Sequence, residues 1–172
     1  MAAITIPTAR LDLILQTPDE VLNWVASMPP ADRAEVSPDW VARVRGAPAG
    51  DPWSLGFTAV ERATGSAVGG CLFKGPPDDD GVVELAYGVD PAHRGRGFAT
   101  EAAEALARFA LASGRVQLVR AHTKPDGDAS MRVLSKCGFR RVGEVTDPED
   151  GLVGRWERGH AEPGAAADGG GR

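Results

Sequence analysis

The stretch Arg94-Gly95-Arg96-Gly97-Phe98-Ala99-Thr100 sets two guanidinium groups and two glycines between an apolar run, Val82–Val89, and an Ala-rich segment with helical spacing. That order suits the holding of phosphate. Glycine lets the backbone approach an anion closely, and the first amides of a helix have no partner inside it. The helix dipole adds partial positive charge at the same point. On these residues alone, a tight strand-to-helix turn with two solvated arginines is the other reading.

Among nucleotide loops, the phosphate-binding loop of the NTPases requires a Gly-Lys-Ser/Thr ending, which is missing here. The dinucleotide fingerprint needs a third glycine or alanine and an acidic residue about twenty positions on. Thr100 stands at that third place, and the following strand ends Arg120-Ala121-His122-Thr123 without a carboxylate. Other chemistry is thinner. His93, His122 and His160 share no ligand spacing, so no metal site is expected. Cys137 has no His or carboxylate pattern to make it a nucleophile, and burial beside Phe139 is expected instead. Asp78-Asp79-Asp80 lacks the spacing of a calcium loop and reads as a solvated turn.

The elements that must position the loop follow from pattern. Leu11, Leu13 and Leu15 alternate as a first strand. Thr17-Pro18-Asp19-Glu20 announces a helix with a capping box, and Ser37-Pro38-Asp39 starts another that stops at Gly46. Phe57–Val60 and Ala67–Phe73 read as strands joined by a turn at Arg62–Gly65, with Gly69-Gly70 marking a bulge or a close approach. Val82–Val89 is the fourth strand. Phe98, Ala102, Leu106 and Phe109 give the next helix its stripe, with Gly114 at its end. A fifth strand runs from Val116 towards His122, Asp128 caps a helix closed by Gly138, and two strands follow around Val142 and Val153. Residues 1–158 form one domain; 159–172, rich in Gly and Ala, are expected to be disordered.

Composition narrows the setting. The 172 residues fit one domain with an ordinary core, and 24 acidic against 19 basic residues argue against nucleic-acid binding. No run approaches the roughly 20 apolar residues of a membrane span. The start, Met-Ala-Ala-Ile-Thr-Ile-Pro, does not read as a signal peptide. With two cysteines and no disulfide framework, a cytoplasmic setting is expected.

Arg94-Gly95-Arg96-Gly97-Phe98-Ala99 resembles the Arg/Gln-x-x-Gly-x-Gly/Ala signature of the GNAT superfamily of acetyl-CoA-dependent N-acetyltransferases. Tyr87-Gly88-Val89-Asp90-Pro91 resembles the fourth strand of that family, and Ala129–Phe139 its second motif, a helix ending in Gly-Phe. Pro7–Leu13 is similar to the opening of the branch that acetylates ribosomal-protein N-termini. The resemblance covers residues 7–158. It implies an α/β (α+β) single domain: a mixed, largely antiparallel sheet of about six to seven strands, splayed at the fourth and fifth, with helices on both faces.

The resemblance further implies acetyl-CoA as co-substrate. Backbone groups of Tyr87, Gly88 and Val89 would run beside the pantetheine arm, and the Val89 N–H would meet the thioester carbonyl. Amides of Arg94, Gly95, Arg96, Gly97, Phe98, Ala99 and Thr100 would hold the pyrophosphate. The acceptor would be a peptide N-terminus or a small-molecule amine, such as an aminoglycoside or polyamine, with no nucleic acid or membrane involved; a homodimer is compatible with this. An attacking amine must lose a proton, and Glu84 is the first choice of base, its alternative being a surface carboxylate on the other face of the strand. Ser130 would bond the sulfur or pantetheine, or else be a plain first-turn serine. The family's frequent helix Tyr and Asn are Leu134 and Gly127 here. These departures leave a second reading, an acyl-CoA-binding sensor or partner module without turnover. Trp24, Trp40 and Trp53 read as core, or, by the resemblance, as lining of the acceptor pocket.

Overall fold

A computed structural model describes residues 4–148 and 150–160. Alternation builds the sheet. In β2 (Leu11–Leu15) the three leucines are buried while Asp12 and Ile14 turn outward. β3 (Phe57–Glu61), β4 (Ala67–Phe73) and β5 (Val82–Val89) continue antiparallel from it, and β1 (Thr5–Pro7) lines its other edge. β6 (Leu118–Thr123) lies parallel to β5; β8 (Gly151–Gly159) and β7 (Arg140–Asp147) complete an eight-stranded sheet in the order 1-2-3-4-5-6-8-7. The strand beyond the expected six to seven is β1, whose three residues are too few to show a period. The expected fourth and fifth strands are therefore β5 and β6.

Local signals place the helices. α1 (Pro18–Ser27) starts on a complete capping box between Thr17 and Glu20, and α3 (Pro38–Gly46) on a Ser37 side chain that accepts from Trp40 N–H. Short α2 (Pro30–Ala34) lies between them. α4 (Phe98–Ala112) and α5 (Asp128–Lys136) both start at glycines, Gly97 and Gly127, without a side-chain cap. Asp128, expected to cap, is instead the first residue of α5.

Phe57 and Phe73 point to α4, where Phe109 meets both rings with centroids 6.2 and 6.4 Å apart. The intervening residues Thr58 and Leu72 face a cavity shared with α1 and α3. Helices thus cover both faces. On α4, Ala102, Ala103, Ala107 and Ala110 are buried beside Leu106, so the helix axis comes close to the sheet. The bulge signalled by Gly69-Gly70 lies beside them: Ala59 pairs Gly69 but Val60 pairs Ala67, leaving Val68 as the extra residue. β8 runs one residue past the expected boundary at 158, and of the tail only Gly159 and His160 are among the described residues.

Candidate functional site

The site begins where two strands part. β5 and β6 pair only through Val82–Leu118, Val83–Val119 and Glu84–Arg120. On the other side β5 stays bound to β4 up to Val89. Two bonds fix which groups point where: the Lys74 N–H donates to the Glu84 carbonyl, and the Asp90 N–H donates to the Val68 carbonyl. Even-numbered residues therefore spend their backbone groups on β4. By alternation, those of Tyr87 and Val89 project towards the gap that β6 has left. The resemblance assigned the cofactor arm to this strand edge.

The loop after β5 makes a 3-10 turn at Pro91–His93, then takes Gly95 and Gly97 through positive φ, +78° and +83°. Glycine is required at both. Gly97 caps α4 with backbone alone, so the amides of the first turn are not spent on a neighbouring side chain. The two arginines behave differently from simple anion-facing charges. Arg94 donates from Nε to the Val89 carbonyl at 3.2 Å. Arg96 is bound to the buried Glu61 at 3.0 Å and stacks on the Phe98 ring, 4.5 Å from its centroid. Arg10 stacks on the same ring at 4.6 Å and pairs with Glu101. Phe98 itself is buried, so its side chain serves as an anchor for the loop and only its amide is available to a ligand.

Glu84 lines a slot of about 90 Å³ at the parting of β5 and β6, together with Ser130, Tyr87 and His122. Its Oε1 lies 2.7 Å from His122 Nδ1 and 3.1 Å from Lys74 Nζ. Arg155 Nε donates to His122 Nε2 at 3.2 Å, which places the imidazole proton on Nδ1, directed at Glu84. Burial lowers the Lys74 pKa, but the Glu84 carboxylate outweighs it, aided by Asp147 and Asp150, and the net shift is upward. Tyr87 donates from its hydroxyl to the Ser130 carbonyl at 3.3 Å, which ties β5 to the start of α5. Burial pushes the phenol pKa up, a shift only partly offset by that bond, so it stays protonated through the neutral range. His122 and the Tyr87 side chain had no signal in the sequence; only the β5–β6 register brings them to the slot. Leu134, at the place of the family's tyrosine, is buried in the core.

A larger cavity, about 690 Å³, opens on the face under α1 and α3. Trp24 and Trp40 wall it; Thr58, Gly70, Ala86 and Gly88 pave it. Trp53 does not line it and packs instead on Phe73, with ring centroids 4.9 Å apart. The two cavities share Ala86 and Tyr87, so they meet on β5, two positions from Glu84.

Of the remaining sequence candidates, His93 has a buried ring Nδ1 without a hydrogen-bond partner among the described residues, and Cys137, Asp78 and His160 are held by their surroundings. Cys137 donates its thiol to the Thr100 carbonyl at 3.4 Å, and burial pushes its pKa to about 11. Cys71 is buried in the sheet with its pKa raised to about 12 for the same reason. Asp78 folds back on its own loop, accepting from the Asp80 and Val82 N–H groups. His160 lies 3.0 Å from the Val116 carbonyl. Among the described residues no cluster of three or more His, Cys, Asp or Glu could hold a metal ion. No described helix is long and apolar enough to cross a membrane.

Comparison with known proteins bears on this geometry. The family model of the acetyltransferase (GNAT) domain matches residues 7–140. The chain is 33% identical over 89 residues to the uncharacterized N-acetyltransferase YjdG of Bacillus subtilis (strain 168), a match covering 52% of this chain. It spans only about half of that relative's length, 51%. Two solved structures share the fold at low identity. A putative ribosomal-protein-serine acetyltransferase from Vibrio cholerae superposes with TM-score 0.67 at 19% identity, covering 93% of this chain and all of that one. The aminoglycoside acetyltransferase AAC(6')-Ib, solved with coenzyme A, superposes with TM-score 0.63 at 18% identity, covering 87% and 94%.

Proposed function

The chain belongs to the GNAT acetyltransferase family, and on that footing we propose that it moves the acetyl group of acetyl-CoA to a primary amine by direct attack within one ternary complex. The observation that carries this reading is the parting of β5 from β6 after Glu84, beside a helix start capped by backbone alone. Acetyl-CoA supplies the activated acyl group as a thioester. The residues fit it: positive-φ glycines and the first-turn amides of α4 for the pyrophosphate, and the strand edge at Tyr87, Gly88 and Val89 for the pantetheine arm.

The chain's own groups then have distinct tasks. The Val89 N–H, aimed into the gap, would be the donor to the carbonyl oxygen on which negative charge develops; such a preset donor has been worth about 3–4 kcal/mol in other enzymes. The incoming amine has a pKa near 10.4 if lysine-like and about 8 if an α-amine, so it must shed a proton. Glu84 takes it, directly or through a water, from the slot that meets the large cavity at Ala86 and Tyr87. Lys74 and His122 hold that carboxylate in place. On the departing side, the Tyr87 hydroxyl and Ser130, which share the slot with Glu84, would serve the leaving sulfur. A thiol pKa of about 8.5 makes the thiolate a tolerable leaving group, so a hydrogen bond from the phenol, turned from the Ser130 carbonyl to the sulfur, suffices without full proton transfer. Tyr87 thereby takes up the task left open at Leu134. Two buried cysteines without a disulfide support a reducing, cytoplasmic setting.

Mixing the purified protein with acetyl-CoA and a panel of amines and peptides, and following free thiol, tests the reading. Amine-dependent thiol release is expected. Tight binding of acetyl-CoA with no release for any acceptor would instead mark a sensor, and failure to bind acetyl-CoA would contradict the family-based reading of the cleft.

A further inference from the structure

Resting on the transfer reading above, we infer that the acceptor is a monoamine with an apolar or aromatic flank, seated in the cavity under α1 and α3, and that polycations are poor acceptors. Fold likeness cannot choose among acceptors, because a ribosomal-protein acetyltransferase and an aminoglycoside acetyltransferase superpose almost equally well. The cavity wall can. Among its nineteen described lining residues the only charged side chains are Asp90 and Arg94. Those two adjoin the phosphate loop, at the end of β5, so the rest of the cavity holds no charged partner for an ammonium group.

An aminoglycoside or polyamine carries several ammonium groups, and each one moved from water against this wall away from Asp90, its one lining carboxylate, is penalised. An apolar flank gains on the same transfer. The floor also has the shape for it. Gly70 pairs Gly88 across β4 and β5, and Leu72 pairs Ala86, so the floor is low at its centre. A Cβ at Gly88 would meet nothing within 4 Å, which leaves room above the strand. Trp24 stands at the wall with 55% of its surface exposed, a large apolar side chain that its own helix does not bury. A ring or branched chain resting on the glycine floor between Trp24 and Trp40 would direct its amine towards Ala86 and Tyr87, where the slot with Glu84 begins.

The test compares 2-phenylethylamine, a short peptide with N-terminal Phe, spermine and kanamycin, each with acetyl-CoA and the full chain. The apolar-flanked amines are expected to exceed both polycations in kcat/KM by about a hundredfold. Preference for the peptide assigns the source to a chain N-terminus, preference for the free amine to a small metabolite, and either supports the shared chemistry. Spermine or kanamycin turned over as well as the monoamines would overturn it. Trp24→Ala, at a half-exposed position that should fold normally, is expected to raise KM for 2-phenylethylamine about tenfold and leave the Kd for acetyl-CoA unchanged. An unchanged KM would contradict the seating. If no acceptor is turned over, the transfer reading fails, and calorimetry with CoA present decides the pocket separately. Saturable binding of phenylethylamine but not spermine upholds it; the reverse, or binding of neither, overturns it.

Discussion

α1 and α3 begin differently from α4 and α5, and the difference separates structure from function in this chain. α1 starts with Thr17 Oγ accepting from the Glu20 N–H and the Glu20 carboxylate accepting from the Thr17 N–H; α3 starts on Ser37. Their free amides are answered from within. α4 and α5, which flank the parted strands, start on Gly97 and Gly127 with no side-chain cap. A helix start costs stability when its amides go unanswered. Two such starts beside one opening in a sheet are what a cleft that supplies donors to a ligand requires. Substitutions near the bare starts should therefore cost activity with little stability, and substitutions at the capped starts the reverse.

The largest effect is expected at Glu84→Gln, which keeps the shape and removes the carboxylate proposed as the base. Its kcat/KM should fall by about 10²–10⁴-fold while the Kd for acetyl-CoA and the melting temperature hold. An activity within a few-fold of the parent would assign the proton to another group. Tyr87→Phe comes next. Losing one donor to the thiolate should lower kcat about tenfold, with a smaller loss for acyl donors whose thiols are more acidic; equal losses for all donors would leave Tyr87 a packing role. Thr17→Ala inverts the pattern, costing about 1 kcal/mol and about 2–4 °C in Tm with unchanged thiol release. A loss of cofactor affinity there would break the contrast between the two kinds of helix start.

The smallest expected effect is on acid stability. Burial would raise the Glu104 pKa, but hydrogen bonds from Arg158 and Arg108 outweigh it, and the carboxyl sits below its ordinary value of 4.5. A depressed folded-state pKa contributes stability that is present above the unfolded value and is lost as pH falls through the folded one. Glu104→Gln should therefore narrow the stability difference between pH 7 and pH 3 in denaturant titrations. An unchanged difference would show that Arg158 and Arg108 do not act on this carboxyl.

Much of this was legible in the sequence where the determinants are local. Thr17, Pro18 and Glu20 sit within one turn of each other, and Gly97 announces its positive φ by being glycine beside a helix pattern. The alternation of Val83 and Leu85 with Glu84 showed that Glu84 shares neither's face, but not which face is open. That depends on β6, thirty-odd residues away, meeting β5 in a register that sets His122 against Glu84. Arg96 read as a phosphate-facing charge because its partner, Glu61, lies on a strand the loop meets only after folding. Trp53 was indistinguishable from Trp24 and Trp40 by pattern; its place against Phe73 follows from the sheet.

The central claim is that the bare start of α4 holds the pyrophosphate of acetyl-CoA. Ala99→Glu tests it most directly. A carboxylate in the first helical turn favours the helix through its dipole, so the fold should keep or slightly raise its Tm. The same charge would stand beside the pyrophosphate, and calorimetry should show acetyl-CoA binding weakened by about a hundredfold or more. An Ala99→Glu protein that binds acetyl-CoA with the parent's Kd would place the pyrophosphate elsewhere and contradict the account.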